Sequence, residues 1–193
     1  MALPTYDKSK RKKSFQPLPK GAYVVEIKGV KKEKNRSGNG EHLTIAFDIA
    51  EGKYKDFYQN LFDNNSNENK KWSYDALFYL AIPDDNSKSY VMDNWNTFFA
   101  DLEDSNNGYV FGGDHKALKG KIIGGRFHIE QSEYNGKIYN HTRMRWTAVA
   151  DDVRSGNFGG LPEDKLISKP QVSIPTDSEG FMEITADPED VPF

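Results

Sequence analysis

Leu43, Ile45, Phe47 and Ile49 fall on every second position of EHLTIAFDIAEG (41–52), and this alternation predicts a half-buried strand. The preceding run, GAYVVEIKGVKK (21–32), is β-branched and bounded by Gly21, so it predicts another strand. Gly29 near its end predicts a bulge or sharp bend. A turn around Glu51-Gly52-Lys53 leads into YKDFYQNLFDN (54–64), read as a third strand. A three-residue turn places Phe57 and Leu61 inside and Tyr58, Asn60 and Phe62 outside. A two-residue turn exchanges the two sets. The first is preferred, because the second brings Asp56 into the core. Segments 70–82 and 90–103 are read as helices, the second with Trp95, Phe98, Phe99 and Leu102 at amphipathic spacing. That stripe is assigned to the core.

The run GKIIGGRFHIEQSEYNGKIYNHTRMRWTAVAD (120–151) contains Asn135-Gly136 between two β-rich segments, the signature of a type I′ hairpin. Pairing Tyr134 with Lys137 sets the register. Ser132 then faces Tyr139, Glu130 faces His141, His128 faces Arg143, and Arg126 faces Arg145. This face is polar and cationic. Phe127, Ile129, Ile138, Met144 and Trp146 take the other side, toward a core.

Charge changes the picture more than composition does. The formal net charge of −3 over 193 residues conceals a basic front and an acidic end. Residues 1–36 hold eleven Lys/Arg against three acids, residues 37–150 have a net charge of −4, and residues 151–193 have −7. Such asymmetry suggests an anionic ligand at one site and a separate partner, or self-masking, at the other. Hydrophobic residues make up 36%, too few for a wholly packed chain. The expected organisation is a basic arm (1–17), one domain (18–151) with a helical insertion at 70–104, and a flexible acidic tail (152–193). With no cysteine, disulfides, thiolate zinc sites and cysteine nucleophiles are excluded. No apolar run approaches the roughly 18 residues that span a bilayer, and the basic N-terminus lacks an apolar h-region. A cytoplasmic protein is expected.

Three strands, a helical segment and a hairpin match the order of an OB-fold, a five-stranded Greek-key barrel, with an open α+β sheet as the rival. On the barrel reading, Lys31, Lys32, Lys34 and Arg36 belong to the loop joining strands 1 and 2, Lys53 to the turn before strand 3 and Lys55 to the start of that strand. Tyr134 and Lys137 flank the last turn. Tyr139, Arg143 and Arg145 of strand 5 lie beside Tyr58 and Phe62 of strand 3, with Arg126 and His128 opposite. Cations that track phosphates and rings that stack unpaired bases suit single-stranded nucleic acid. The like-charged pair Arg126/Arg145 is unfavourable alone and is relieved by an anion.

The terminal EDVPF resembles the acidic tip of bacterial single-stranded DNA-binding proteins. Segments LPKGAYVVEIKGV (18–30), LTIAFDIAEGKYK (43–55) and LKGKIIGGRFHIEQSEYNGKIYN (118–140) resemble phage-encoded single-stranded DNA-binding proteins of the OB class. The resemblance implies single-stranded DNA binding in replication or recombination. It also implies a tip (Glu189, Asp190, Val191, Pro192, Phe193) that recruits partner proteins and competes with DNA for the basic face. Val191 stands where isoleucine is usual. A homo-oligomer, dimer or higher, is compatible with the resemblance.

Two other classes compete. An enzyme would draw on His42, His115, His128 and His141, with His128 and His141 near Glu130 as a conceivable metal site. No compact ligand spacing or glycine-rich phosphate loop is present, so neither catalysis nor a cofactor or metal is expected. An accessory module that binds proteins but not DNA would keep the tip yet have no use for the cationic strand face.

Overall fold

The structure is a computed structural model that describes residues 5, 16–35, 38 and 40–167. A five-stranded antiparallel sheet dominates it. The strands are β1 (Ala22–Lys34), β2 (Glu41–Ile49), β3 (Leu77–Ile82), β4 (Ile122–Tyr134) and β5 (Lys137–Ala148), in the order β3-β2-β1-β4-β5. The helices are α1 (Phe57–Asp63) after β2, α2 (Ser89–Ser105) between β3 and β4, and α3 (Ala150–Ser155) after β5.

The alternation read in β2 describes its burial: Leu43, Ile45, Phe47 and Ile49 all lie in the core. The β1–β2 register shifts between Ile27 and Gly29, where the bulge is expected. In α2, Phe98, Phe99 and Leu102 are buried and Trp95 packs against them, so the stripe faces inward. Asn135 (φ 51°) and Gly136 (φ 72°) take the left-handed backbone of a type I′ turn.

Two expectations are corrected. Segment 54–64 is not a strand: Gly52–Tyr54 forms a single 3-10 turn and Phe57–Asp63 forms α1. The carboxylate of Asp48, fully buried at the end of β2, accepts hydrogen bonds from the backbone N–H groups of Tyr58 and Gln59 at 2.8 and 3.0 Å. It thereby occupies donors at the helix start that would otherwise be orphaned. Tyr58 is buried and Phe57 and Leu61 pack beside it, a helical rather than an alternating pattern. Segment 70–82, in turn, is not helical beyond the 3-10 turn Tyr74–Ala76, and its second half is β3. Leu80 and Phe78 pair with Leu43 and Ile45 of β2 and point inward, while Tyr79 and Ala81 point out.

The packed chain also continues past the domain end expected at residue 151. Beyond Arg126, β4 has no β1 neighbour, and residues 158–167 lie along it instead. Lys165 N–H donates to Ile129 O and Gln131 N–H to Lys165 O, a parallel bridge that occupies the free edge. Among the described residues, no helix is long and apolar enough to cross a membrane.

Candidate nucleic-acid interface

The hairpin holds the predicted register from Tyr134/Lys137 to Phe127/Met144, then departs from it. A bulge between Arg126 and Phe127 pairs Phe127 with Met144 and Arg126 with Trp146, leaving Arg145 as the extra residue. Arg126 is therefore paired with Trp146 and not, as expected, with Arg145. Trp146, expected in the core, is 44% exposed, and the Arg126 guanidinium carbon lies 5.1 Å from its ring centre.

The cationic row is largely committed to the protein itself. Arg126 donates to the carbonyls of Thr147, Phe158 and Gly160. His128 is buried, and its Nδ1–H donates to Glu163 O at 2.8 Å. Arg143 sits between Asp75 and Glu130 at 3.6 and 3.5 Å, and Lys165 also bonds Glu130. The Lys165 ammonium, and then Arg143, hold the Glu130 carboxyl below its usual range. Only Arg145 of the row is exposed with no carboxylate partner among the described residues.

A second constellation is one that sequence reasoning missed. Lys31, Thr44 and Tyr79 are adjacent across β1, β2 and β3, on the outward side of the sheet. Tyr79 lies 5.7 Å from the His42 ring and 6.1 Å from Tyr74, and the Arg143 guanidinium caps Tyr74 at 4.1 Å. The contacts run without a break from β5 to β2. Tyr74 and Tyr79 are 56% and 44% exposed. Arg143, and then the Tyr79 hydroxyl, hold the Tyr74 hydroxyl below its ordinary value. Burial and the bond to Tyr74 push Tyr79 up to about 12. The signal for this row was the alternation Phe78/Leu80/Ile82 against Tyr79/Ala81.

A groove of about 900 Å³ lies between β3 and β5, bounded by Tyr90 and Asn94 of α2 and by Glu163–Lys165. Arg145, Trp146 and Tyr79 line it.

The remaining predicted positions divide. Tyr58 is in the core and cannot stack on a base. Phe62 is half-buried beside Trp72, with Lys70 over its ring, away from β5. Lys31, Lys34, Lys53 and Lys55 are exposed, whereas Lys32 pairs with Glu41 at 2.6 Å. Tyr134, Lys137 and Tyr139 project from the hairpin end and are exposed. Arg36, the arm apart from residues 5, 16 and 17, and the tip Glu189–Phe193 lie outside the described residues.

His141 donates from Nδ1 to Asp75 and faces Ser132 Oγ through Nε2 at 2.9 Å. This chain ties the hairpin to the turn before β3. Among the described residues, no group of His, Asp and Glu is arranged to hold a metal ion.

Residues 4–85 match the model of a family described as a protein of unknown function (DUF669). The matched stretch ends just after β3 and so takes in Lys31, His42, Tyr74 and Tyr79. No curated protein matches the chain.

Proposed function

We propose that this chain binds single-stranded DNA across the outward faces of β1, β2 and β3, as a protein of phage or bacterial DNA replication or recombination. The observation that carries the reading is the unbroken contact series Arg143–Tyr74–Tyr79–His42, with Lys31 on the same face, across Thr44 from Tyr79. Rings of this kind stack unpaired bases with little regard to sequence, and flanking cations take the phosphates. The strand order supports an OB-type barrel, because β1 lies between β2 and β4 while the turn leading into the outer strand β3 meets the outer strand β5 at Tyr74 and Arg143. In such a barrel the second and third strands form the binding face. The tip Glu189–Phe193 would recruit partner proteins by seating its terminal ring and carboxylates on an apolar, basic pocket.

One observation favours the rival accessory-module reading: Asp75 and Glu130 already neutralise Arg143. Fluorescence anisotropy of labelled oligo-dT and of a duplex, each at two salt concentrations, decides between the two. Preferential binding to oligo-dT that weakens with salt is expected, with a loss of tenfold or more in Tyr79→Ala. Equal affinity for duplex, or no binding at low salt, overturns the DNA reading and leaves the interaction module.

A further inference from the structure

A register break has turned one tryptophan out of the core, and its surroundings define a second contact. Uninterrupted pairing from the turn would place Trp146 beside Phe127 and Met144 on the apolar side. The bulge at Arg126/Phe127 brings it to the other face, next to Arg145. Bulges commonly re-aim a side chain beside a functional site. Here the re-aimed ring is fixed from behind. Arg126 lies against one face of the indole, and three backbone carbonyls hold that guanidinium in place. The indole lines the groove between β3 and β5 together with Tyr79 and Tyr90. Arg145, the residue added by the bulge, lies next to it with no carboxylate partner among the described residues.

We infer that Trp146 is a nucleobase-stacking platform inside the groove, which adjoins the outward Tyr74–Tyr79–His42 row at Tyr79, and that Arg145 takes the phosphate beside the stacked base. The inference rests on the single-stranded DNA reading and extends it to a site the row does not contain. Arg126 is a positioning residue: carbonyls hold its Nε and Nη1 while its guanidinium orients the indole.

Trp146 reports on itself. Trp72 is half-buried and donates to Phe47 O, and Trp95 is half-buried against Phe99, so Trp146 is the exposed indole of the three. The full chain is titrated with oligo-dT while tryptophan emission and the anisotropy of a labelled oligonucleotide are followed together. Quenching is expected in the parent and absent in Trp146→Phe, which should still bind. Trp146→Ala should lose about tenfold in affinity, a loss that disappears when the oligonucleotide is abasic. Arg126→Met should weaken binding with an unaltered salt slope, while Arg145→Ala should lower the slope by about one. Parent binding without quenching, or full affinity in Trp146→Ala, overturns the platform and leaves the outward row standing. Failure of the parent to bind at low salt overturns both.

Discussion

The guanidinium of Arg143 lies 4.1 Å above the ring of Tyr74, with Asp75 and Glu130 on its flanks. A cation over an aromatic face gains from the ring quadrupole, and the two carboxylates offset its charge. Arg143 therefore organises the ring row rather than adding to the attraction for phosphate. Arg145, two residues along and unpaired among the described residues, has the opposite character.

Salt titrations of the two single variants should separate these roles. Arg145→Ala should reduce the slope of log affinity against log salt by about one unit. Arg143→Ala should leave the slope close to that of the parent while lowering affinity at every salt concentration, because Tyr74 loses its cap. Equal slope changes in both variants would contradict the division.

Asp48 should be a large stability determinant. Its buried carboxylate accepts from Ile49, Tyr58 and Gln59, joining the end of β2 to the start of α1. Asp48→Ala would leave the Tyr58 and Gln59 donors without that acceptor, a loss of about 3 kcal/mol. Urea denaturation should show a lower midpoint at constant slope, with Asp48→Asn falling between Ala and the parent because its amide oxygen still accepts.

This residue also shows where sequence reasoning stopped. The inward positions of β2 were legible, because one buried face writes a period of two into the sequence. Asp48, outside that set, is fully buried, and only its backbone donors explain why. Those donors come from residues ten and eleven positions later, so no local pattern announces them. The same long-range capping makes 57–63 helical although its aromatic content favours a strand. The error at 77–82 was different, since the alternation of Phe78, Leu80 and Ile82 was present within the segment 70–82 read as a helix. Because the ring row begins in that segment, misreading it hid Tyr74 and Tyr79. At the hairpin, turn chemistry set the register correctly through Phe127/Met144, and the bulge beyond it adds its residue on β5, where no glycine marks it.

Gly124 should tolerate no side chain. A Cβ there would lie 2.7 Å from Ala148 O and 2.7 Å from Val153 Cγ2, where β4, β5 and α3 meet. The carbonyl belongs to the paired backbone and cannot step aside, so Gly124→Ala should destabilise by about 1–3 kcal/mol. Gly29, whose Cβ would meet nothing within 4 Å, is the control. Gly29→Ala should be neutral or gain up to about 1 kcal/mol, and similar urea midpoints for the two variants would refute the crowding argument.

Acid should release the segment along β4 before it unfolds the sheet. Lys165 holds Glu130 low, and Lys20, with the Ile129 N–H, holds Asp164 low. A carboxyl depressed in the folded state contributes stability above its unfolded value, about 4, and loses it as pH falls through the folded value. Asp101 has the opposite sign. Its burial, only partly countered by the Thr147 hydroxyl, raises its pKa, so its contribution improves as pH falls. Between pH 5 and 3, then, the ties of Glu130 and Asp164 weaken while Asp101 at the sheet–helix contact does not. Hydrogen exchange, corrected for intrinsic rates, should show protection at the Gln131 and Lys165 amides falling before that of Leu43 and Phe47. Simultaneous loss at all four amides would mean that the segment and the sheet open as one unit, and that the paired carboxylates do not govern the segment separately.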